Sequence, residues 1–228
     1  MTMESSGITV FTGRFGSGKT EIAINYAIRL ANRGSRPFLV DLDIVTPYFR
    51  VRDRAEQVER LGVDLVTPFP VGQHIHIPAI SPQIRGAIEQ TARPVVIDLG
   101  GDQQGARALA QYAAAVERQG YTMCFCANPY RPFMDTVEAI GTAIAEIEGS
   151  ARLRVSALVS NPNLMSLSTA QTFEQGHRLV AEASSTLGLP IAFAATSQAI
   201  ADRLDRRSLS VDLLVLRRFF PMLQAQEN

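Results

Sequence analysis

Apolar positions along the chain gather into short unbroken runs separated by longer stretches with helical spacing. Ile8 to Phe11, Phe38 to Val40, Val95 to Ile97, Tyr121 to Ala127, residues 154–160 and Leu189 to Ala194 are bounded by polar or turn residues. Such runs predict strands buried on both faces. Asp64 to Thr67 is a shorter candidate strand. Between the runs, Ile22, Tyr26, Ile28 and Leu30 predict a first helix with a stop at Arg33-Gly34. Further helices are predicted to end near Gly62, and to run from Ser81 to Thr91, with Ser81 as N-cap and Pro82 in the first turn. The alanine-rich Gln103 to Gln119, Pro132 to Ile147, and Ser168 to Leu187 with Ser168 as N-cap complete the set. Strands alternating with helices predict an α/β fold, a doubly wound and mostly parallel sheet with helices on both faces. Without a repeat, linker or low-complexity tract, residues 1–228 read as a single domain, with 206–228 a C-terminal closing helix or tail.

Apolar residues make up 46% of the chain and charged ones 19%, so burial can drive folding without disulfides or structural metal. Twenty-two basic residues balance 22 acidic ones, which removes the broad positive field of a protein held on nucleic acid mainly by phosphate contacts. Cys124 and Cys126 alternate within one apolar run, a spacing that disfavours a disulfide between them and fits a reducing compartment. The N-terminus has no charged start followed by an apolar core, and no run approaches the length of a membrane span. The expected location is cytoplasmic.

The chemistry concentrates in Gly13-Arg14-Phe15-Gly16-Ser17-Gly18-Lys19-Thr20, followed by Glu21. It matches G-x-x-x-x-G-K-[ST] between a predicted strand and a predicted helix. Glycines permit positive φ and turn successive N–H groups toward one centre, onto which the next helix directs its positive dipole end. A polyphosphate suits that arrangement, with Lys19 reaching the β and γ phosphates and the Thr20 hydroxyl holding Mg²⁺. Asp43 and Asp98 close apolar runs, at the edge where open α/β sheets bind ligands. Asp98 fits the metal side and Gly101 offers an N–H to the γ-phosphate, while Asp43 can orient the attacking water. Gly100 and Gly101, and the aromatic and basic stretch 44–54, have the makeup of moving switch segments.

Gly13 to Thr20, Asp41-x-Asp43, Asp98-x-x-Gly101, Asn128-Pro129 and Asn161 occur in the order seen in the MinD/ParA/CobQ group of P-loop NTPases, of the SIMIBI class, which the chain resembles to about residue 205. That resemblance implies that Lys19 and Thr20 contact phosphates and Mg²⁺, that Asp43 belongs to switch I, that Asp98 to Gly101 form Walker B and switch II, and that Asn161 reads adenine. Arg14 stands where the family has its signature lysine, and Phe15 where it often has glycine. Arginine is permanently charged and forked, so Arg14 is expected to act in trans across a homodimer.

The expected site thus has Lys19, Asp43 and Arg14 as catalytic residues and Thr20, Asp43 and Asp98 around Mg²⁺. Its ATP contacts are Gly13, Arg14, Phe15, Gly16, Ser17, Gly18, Lys19, Thr20, Glu21, Gly101 and Asn161. Absence of an N-K-x-D signature at any strand end favours ATP over GTP. Three functions follow: a partner-regulated ATPase switch or assembly factor with a client protein; a kinase or ligase resembling dethiobiotin synthetase, with His74, His76 and Arg85 near its substrate; and a positioning ATPase on DNA or a membrane. Two adjacent arginines and Pro221 make 209–223 a poor membrane helix and favour a buried closing one. The cysteine spacing lacks the C-x-x-C of the family's iron–sulfur members.

Overall fold

The computed structural model describes residues 7–43, 51–68, 81–90, 92–205 and 209–220, with the side chain of Arg52 excepted. His74, His76 and the stretch 44–50 of the expected first switch lie outside the described residues. Eight described strands form one sheet: β1 (Ile8–Thr12), β2 (Phe38–Leu42), β3 (Asp64–Val66), β4 (Val95–Leu99), β5 (Tyr121–Ala127), β6 (Ala157–Ser160), β7 (Ile191–Ser197) and β8 (Leu213–Leu216). Their order is β3-β2-β4-β1-β5-β6-β7-β8, and every pairing is parallel. The chain steps outward from β1 to β2 and β3, returns with β4, then crosses to β5 on the other side. The end of β1 therefore lies where the winding reverses, the place at which such sheets open a crevice.

Side chains alternate across the sheet, so each strand feeds two cores. Ile8, Val10, Val40, Leu42, Ile97, Leu99, Met123 and Phe125 pack with α3 (Pro82–Glu89), α4 (Gln103–Ala110), α5 (Ala113–Gln119), α6 (Val137–Ala151) and α7 (Ala170–Leu187). Phe11, Leu39, Val96, Cys124, Cys126, Val159 and Phe193 face the other way, toward α1 (Lys19–Asn32) and α2 (Ala55–Glu59). There Phe11, Tyr26 and Phe193 interlock, Phe11 edge-on to Tyr26 at 5.2 Å between centroids. Both cysteines are buried and free.

Four expectations need correction. The helix expected over 103–119 is two, because Tyr112 sits between α4 and α5 and its hydroxyl accepts from Ser81 N at 3.2 Å, a tertiary contact that helical periodicity does not report. The helix expected from Pro132 starts at Val137, capped by Thr136, and runs to Ala151. The N-cap of α7 is Thr169, which exchanges hydrogen bonds with Thr172 in a capping box, so Ser168 lies outside the helix. The expected closing helix in the tail is replaced over Leu213–Leu216 by β8, parallel to β7. A four-residue apolar run flanked by Asp212 and Arg217 is too short for a helix and satisfies its backbone against the sheet edge.

Candidate nucleotide-binding site

The loop after β1 folds as the glycine spacing demands. Gly13, Gly16 and Gly18 have φ of 147°, 77° and 83°, and the chain closes on itself as Ser17 N donates to Arg14 O at 2.9 Å. A Cβ at Gly13 would stand 2.5 Å from Cys126 O, and one at Gly101 only 1.8 Å from Gly13 O. The second glycine loop, after β4, is thus laid directly on the first. Asn161, at the end of β6, donates from Nδ2 to Ser17 O at 2.7 Å, and Arg131, from the loop after β5, donates from Nε to Gly16 O at 2.8 Å. Arg14 pairs with Glu146 of α6 at 2.5 Å, and the Phe15 side chain is exposed.

Lys19 and Thr20 open α1, and both are buried. The Lys19 ammonium is paired with the Asp43 carboxylate, just past β2. Asp41 lies opposite Asp98 in the register of β2 and β4, which brings three carboxylates toward one lysine. Burial works against the charge on Lys19, yet Asp98, Asp43 and Asp41 outweigh it and hold its pKa above the ordinary value. Burial also raises Asp98 to about 7, helped by Asp43 and Asp41 and opposed by Lys19 and the Thr20 hydroxyl. Neither Asp98 oxygen has a hydrogen-bond partner of ordinary geometry, although both are shut off from solvent. Orphaned carboxylate oxygens beside a hydroxyl are hard donors of the kind Mg²⁺ takes. No group of three or more His, Cys, Asp or Glu side chains with metal-holding geometry occurs among the described residues.

From this charged end a cleft of about 410 Å³ runs along the strand ends toward β8. Its lining passes from Gly18, Lys19 and Thr20 past Arg131, Asn161 and Asn163 to Thr196, Ser197 and Ile200. Asn128, at the end of β5, fixes the next strand's loop: its Nδ2 donates to Asn163 O at 3.0 Å and its Oδ1 accepts from Asn163 N at 3.1 Å. Glu21 is the one carboxylate among the described lining residues, and it is already engaged, accepting from Phe219 N and Phe220 N. Burial raises its pKa, against the pull of those two N–H groups and of Arg218 and Arg54.

The expected residues therefore fall into three groups. Gly13, Gly16, Ser17, Gly18, Lys19, Thr20, Asp43, Asp98 and Gly101 come together around one point. Asn161 is buried against the loop backbone, and Glu21 points to the C-terminal segment. Arg14 is turned to α6. Arg85 is on α3, paired with Glu89 at 3.2 Å, and does not line the cleft. Reading by motif passed over Arg131 and Glu146, since a contact across 115 or 132 positions leaves no trace in spacing.

No protein-family model matches the chain, and no curated protein does. Solved structures do match. The cell division protein FtsY from Thermotoga maritima superposes with a TM-score of 0.57 at 16% identity, over 88% of this chain and 65% of that one. The signal recognition particle receptor FtsY from Elizabethkingia anophelis, in complex with GDP, gives 0.57 at 16%, over 89% and 61%. The signal recognition particle 54 kDa protein from Aeropyrum pernix K1, also with GDP, gives 0.54 at 18%, over 88% and 43%. The chain spans less than two-thirds of each of these structures. The likeness is one of fold. With its eight described parallel strands, its glycine loop after β1 and these neighbours, the chain has the α/β fold of a P-loop NTPase.

Proposed function

We propose that this protein is a Mg²⁺-dependent ATPase that works as a nucleotide-controlled dimeric switch or assembly factor for a partner protein. The observation that carries the reading is the buried cluster of Lys19, Asp43 and Asp98 beneath the glycine loop, where a lysine is paired internally and a neighbouring carboxylate makes no hydrogen bond of ordinary geometry. A triphosphate gives Lys19 a competing anion. As Lys19 turns from Asp43 to the β and γ phosphates, Asp43 is freed to accept a proton from, or orient, the attacking water. Thr20, Asp98 and Asp43 would hold Mg²⁺, which when bound neutralises developing phosphate charge. Gly101 rests on Gly13, so a change at the phosphates is felt in the loop leading to α4. Arg14 is about one-third exposed in its pair with Glu146. A surface pair of this kind is worth about 0–1 kcal/mol, little enough for Arg14 to leave it and reach a second protomer's nucleotide.

Support for adenine comes from the cleft. Guanine is usually held through a carboxylate that accepts from its N1 and N2 hydrogens, and the only described carboxylate lining this cleft is occupied by backbone N–H groups. Asn163, Thr196 and Ser197 offer an amide and hydroxyls instead. The second reading is a GTPase, favoured by the GDP in two of the structural neighbours. No described helix is long and apolar enough to cross a membrane, and a cytoplasmic site of action fits the free cysteines.

Equilibrium binding of ATP and GTP with Mg²⁺, together with phosphate release by the wild type and Lys19→Ala, tests this. Tighter ATP binding and loss of turnover in the variant are expected. Equal binding by wild type and variant would sink the proposal, and preference for GTP would move it to the second reading. Light scattering with a non-hydrolysable ATP analogue tests the dimer.

A further inference from the structure

The end of β8 is separated from β1 by β5, β6 and β7 in the sheet, yet the residues after it reach the first turn of α1. They do so through a set of hydrogen bonds that replaces strand pairing. Asn25 of α1 exchanges two bonds with Arg217, its Oδ1 accepting from Arg217 N at 2.8 Å and its Nδ2 donating to Arg217 O at 2.8 Å. The same Nδ2 donates to Glu21 O at 2.8 Å. The Glu21 carboxylate then accepts from Phe219 N at 3.0 Å and from Phe220 N at 2.9 Å. Phe219 and Phe220 are buried in the core on the α1 side, and the Arg54 guanidinium lies 5.7 Å from the centre of the Phe220 ring.

This strap is also a wall. Leu216, Arg217, Arg218 and Phe220 line the cleft that begins at Lys19 and Thr20, and the Arg217 and Arg218 side chains are exposed there. Glu21 directly follows Thr20, so the group that fastens the strap is one residue from the phosphate end. A carboxylate in this position would repel a polyphosphate if it faced the loop. Its two backbone donors instead hold it on the strap, with Arg218 and Arg54 as the neighbouring positive charges.

We propose that Glu21 is a positioning residue for the nucleotide: by clamping the strap Arg217–Phe220 it fixes the C-terminal wall of the cleft, where Arg217 and Arg218 present cations to a nucleoside polyphosphate, and so sets how long that ligand stays bound. The proposal rests on the nucleotide reading above. Charge-assisted hydrogen bonds to a buried carboxylate are worth enough that losing them speeds ligand release about ten- to a hundredfold. Removing one exposed cation from the wall should speed it a few-fold, roughly.

The test is stopped-flow release of N-methylanthraniloyl-ADP from wild type, Lys19→Ala, Glu21→Ala, Glu21→Gln and Arg218→Ala, with KM, kcat and thermal unfolding measured for each. Faster release and raised KM with kcat little changed, graded Glu21→Ala over Glu21→Gln, and a smaller effect of the same sign in Arg218→Ala without loss of Tm, are the expected results. If wild type binds the probe and Lys19→Ala weakens it, but both Glu21 variants release at the wild-type rate, the strap proposal fails and the nucleotide reading stands. If Glu21→Ala loses Tm and binding together while Arg218→Ala behaves as wild type, the strap is only structural and the proposal fails. If wild type does not bind the probe or ATP, both readings fall.

Discussion

The two ends of the cleft solve opposite problems. Beneath the glycine loop, where β2 and β4 end, three carboxylates just outside the cleft lining are buried together with Lys19, which lines it, and neither Asp98 oxygen has a hydrogen bond of ordinary geometry. At the β6 to β8 end the described lining is amides, hydroxyls, apolar carbon and the exposed cations of Arg217 and Arg218, and the one described acid there is fastened to backbone N–H groups. The charged end gains from a ligand because it is electrostatically incomplete without one. The β6 to β8 end has its one described acid engaged already and contributes shape and exposed cations. Buried charge without a partner costs far more than a buried amide with one, so under the proposed function the first end is where binding energy would become conformational change and the second is where it would become selectivity.

The largest expected effect breaks the charged end outright. Lys19→Met should lower kcat by about a hundredfold or more, since the lysine is the charge-stabilising donor of the loop; phosphate-release assays at saturating nucleotide read this, and a smaller loss would mean that Arg131 shares the task. Next, Asp98 keeps its proton up to about pH 7 in the folded chain, against an ordinary 3.8. The folded state then binds the extra proton between those values, so this group's contribution is full below the lower pKa and is lost as pH rises through the upper one. Asp98→Asn should therefore stabilise the nucleotide-free protein at pH 8, by up to roughly 4 kcal/mol, and flatten its stability between pH 4 and 8. Chemical denaturation across that range measures it.

Smaller effects sharpen the contrast from the other end. Asn163→Asp places a carboxylate on the base side while keeping the Oδ1 that accepts from Met165 N at 2.7 Å. The ratio of ATP to GTP affinity should fall by roughly tenfold, the value of about one charge-assisted hydrogen bond. Competition binding would show it, and an unchanged ratio would place base recognition elsewhere. Arg14→Ala should reduce turnover per site only at protein concentrations that favour dimers. Equal rates for variant and wild type at every concentration would leave Arg14 as a partner of Glu146 alone.

Much of the charged end is legible in the sequence because its chemistry is local. Gly13, Gly16 and Gly18 take the positive φ that the loop requires, and Asp98 follows an apolar run that β4 buries completely. The β6 to β8 end is hardly legible, because it is assembled from distant segments: Asn128 on Asn163, Asn25 on Arg217, Glu21 on Phe219 and Phe220. Glu21 illustrates the difference. Its place beside Thr20 suggests a phosphate contact, and nothing within the loop reveals that two N–H groups almost 200 positions away claim its carboxylate. β8 is hidden for a related reason, since the longer stretch Leu209 to Leu223 reads as helical when taken whole, and the pairing of Leu213–Leu216 with β7 is a tertiary contact. The break at Tyr112 and the start of α6 depend likewise on tertiary contact and capping.

The bonds between Asn25 and Arg217 make α1 a mechanical neighbour of the chain's last described strand. A load applied beyond residue 220, whether by an attached protein or by a laboratory tether, would be borne first by Asn25 and Glu21 and so by the first turns of the helix that carries Lys19 and Thr20. Tension at that end of the chain would thereby reach α1 directly through these bonds as well as through the pairing of β8 with β7.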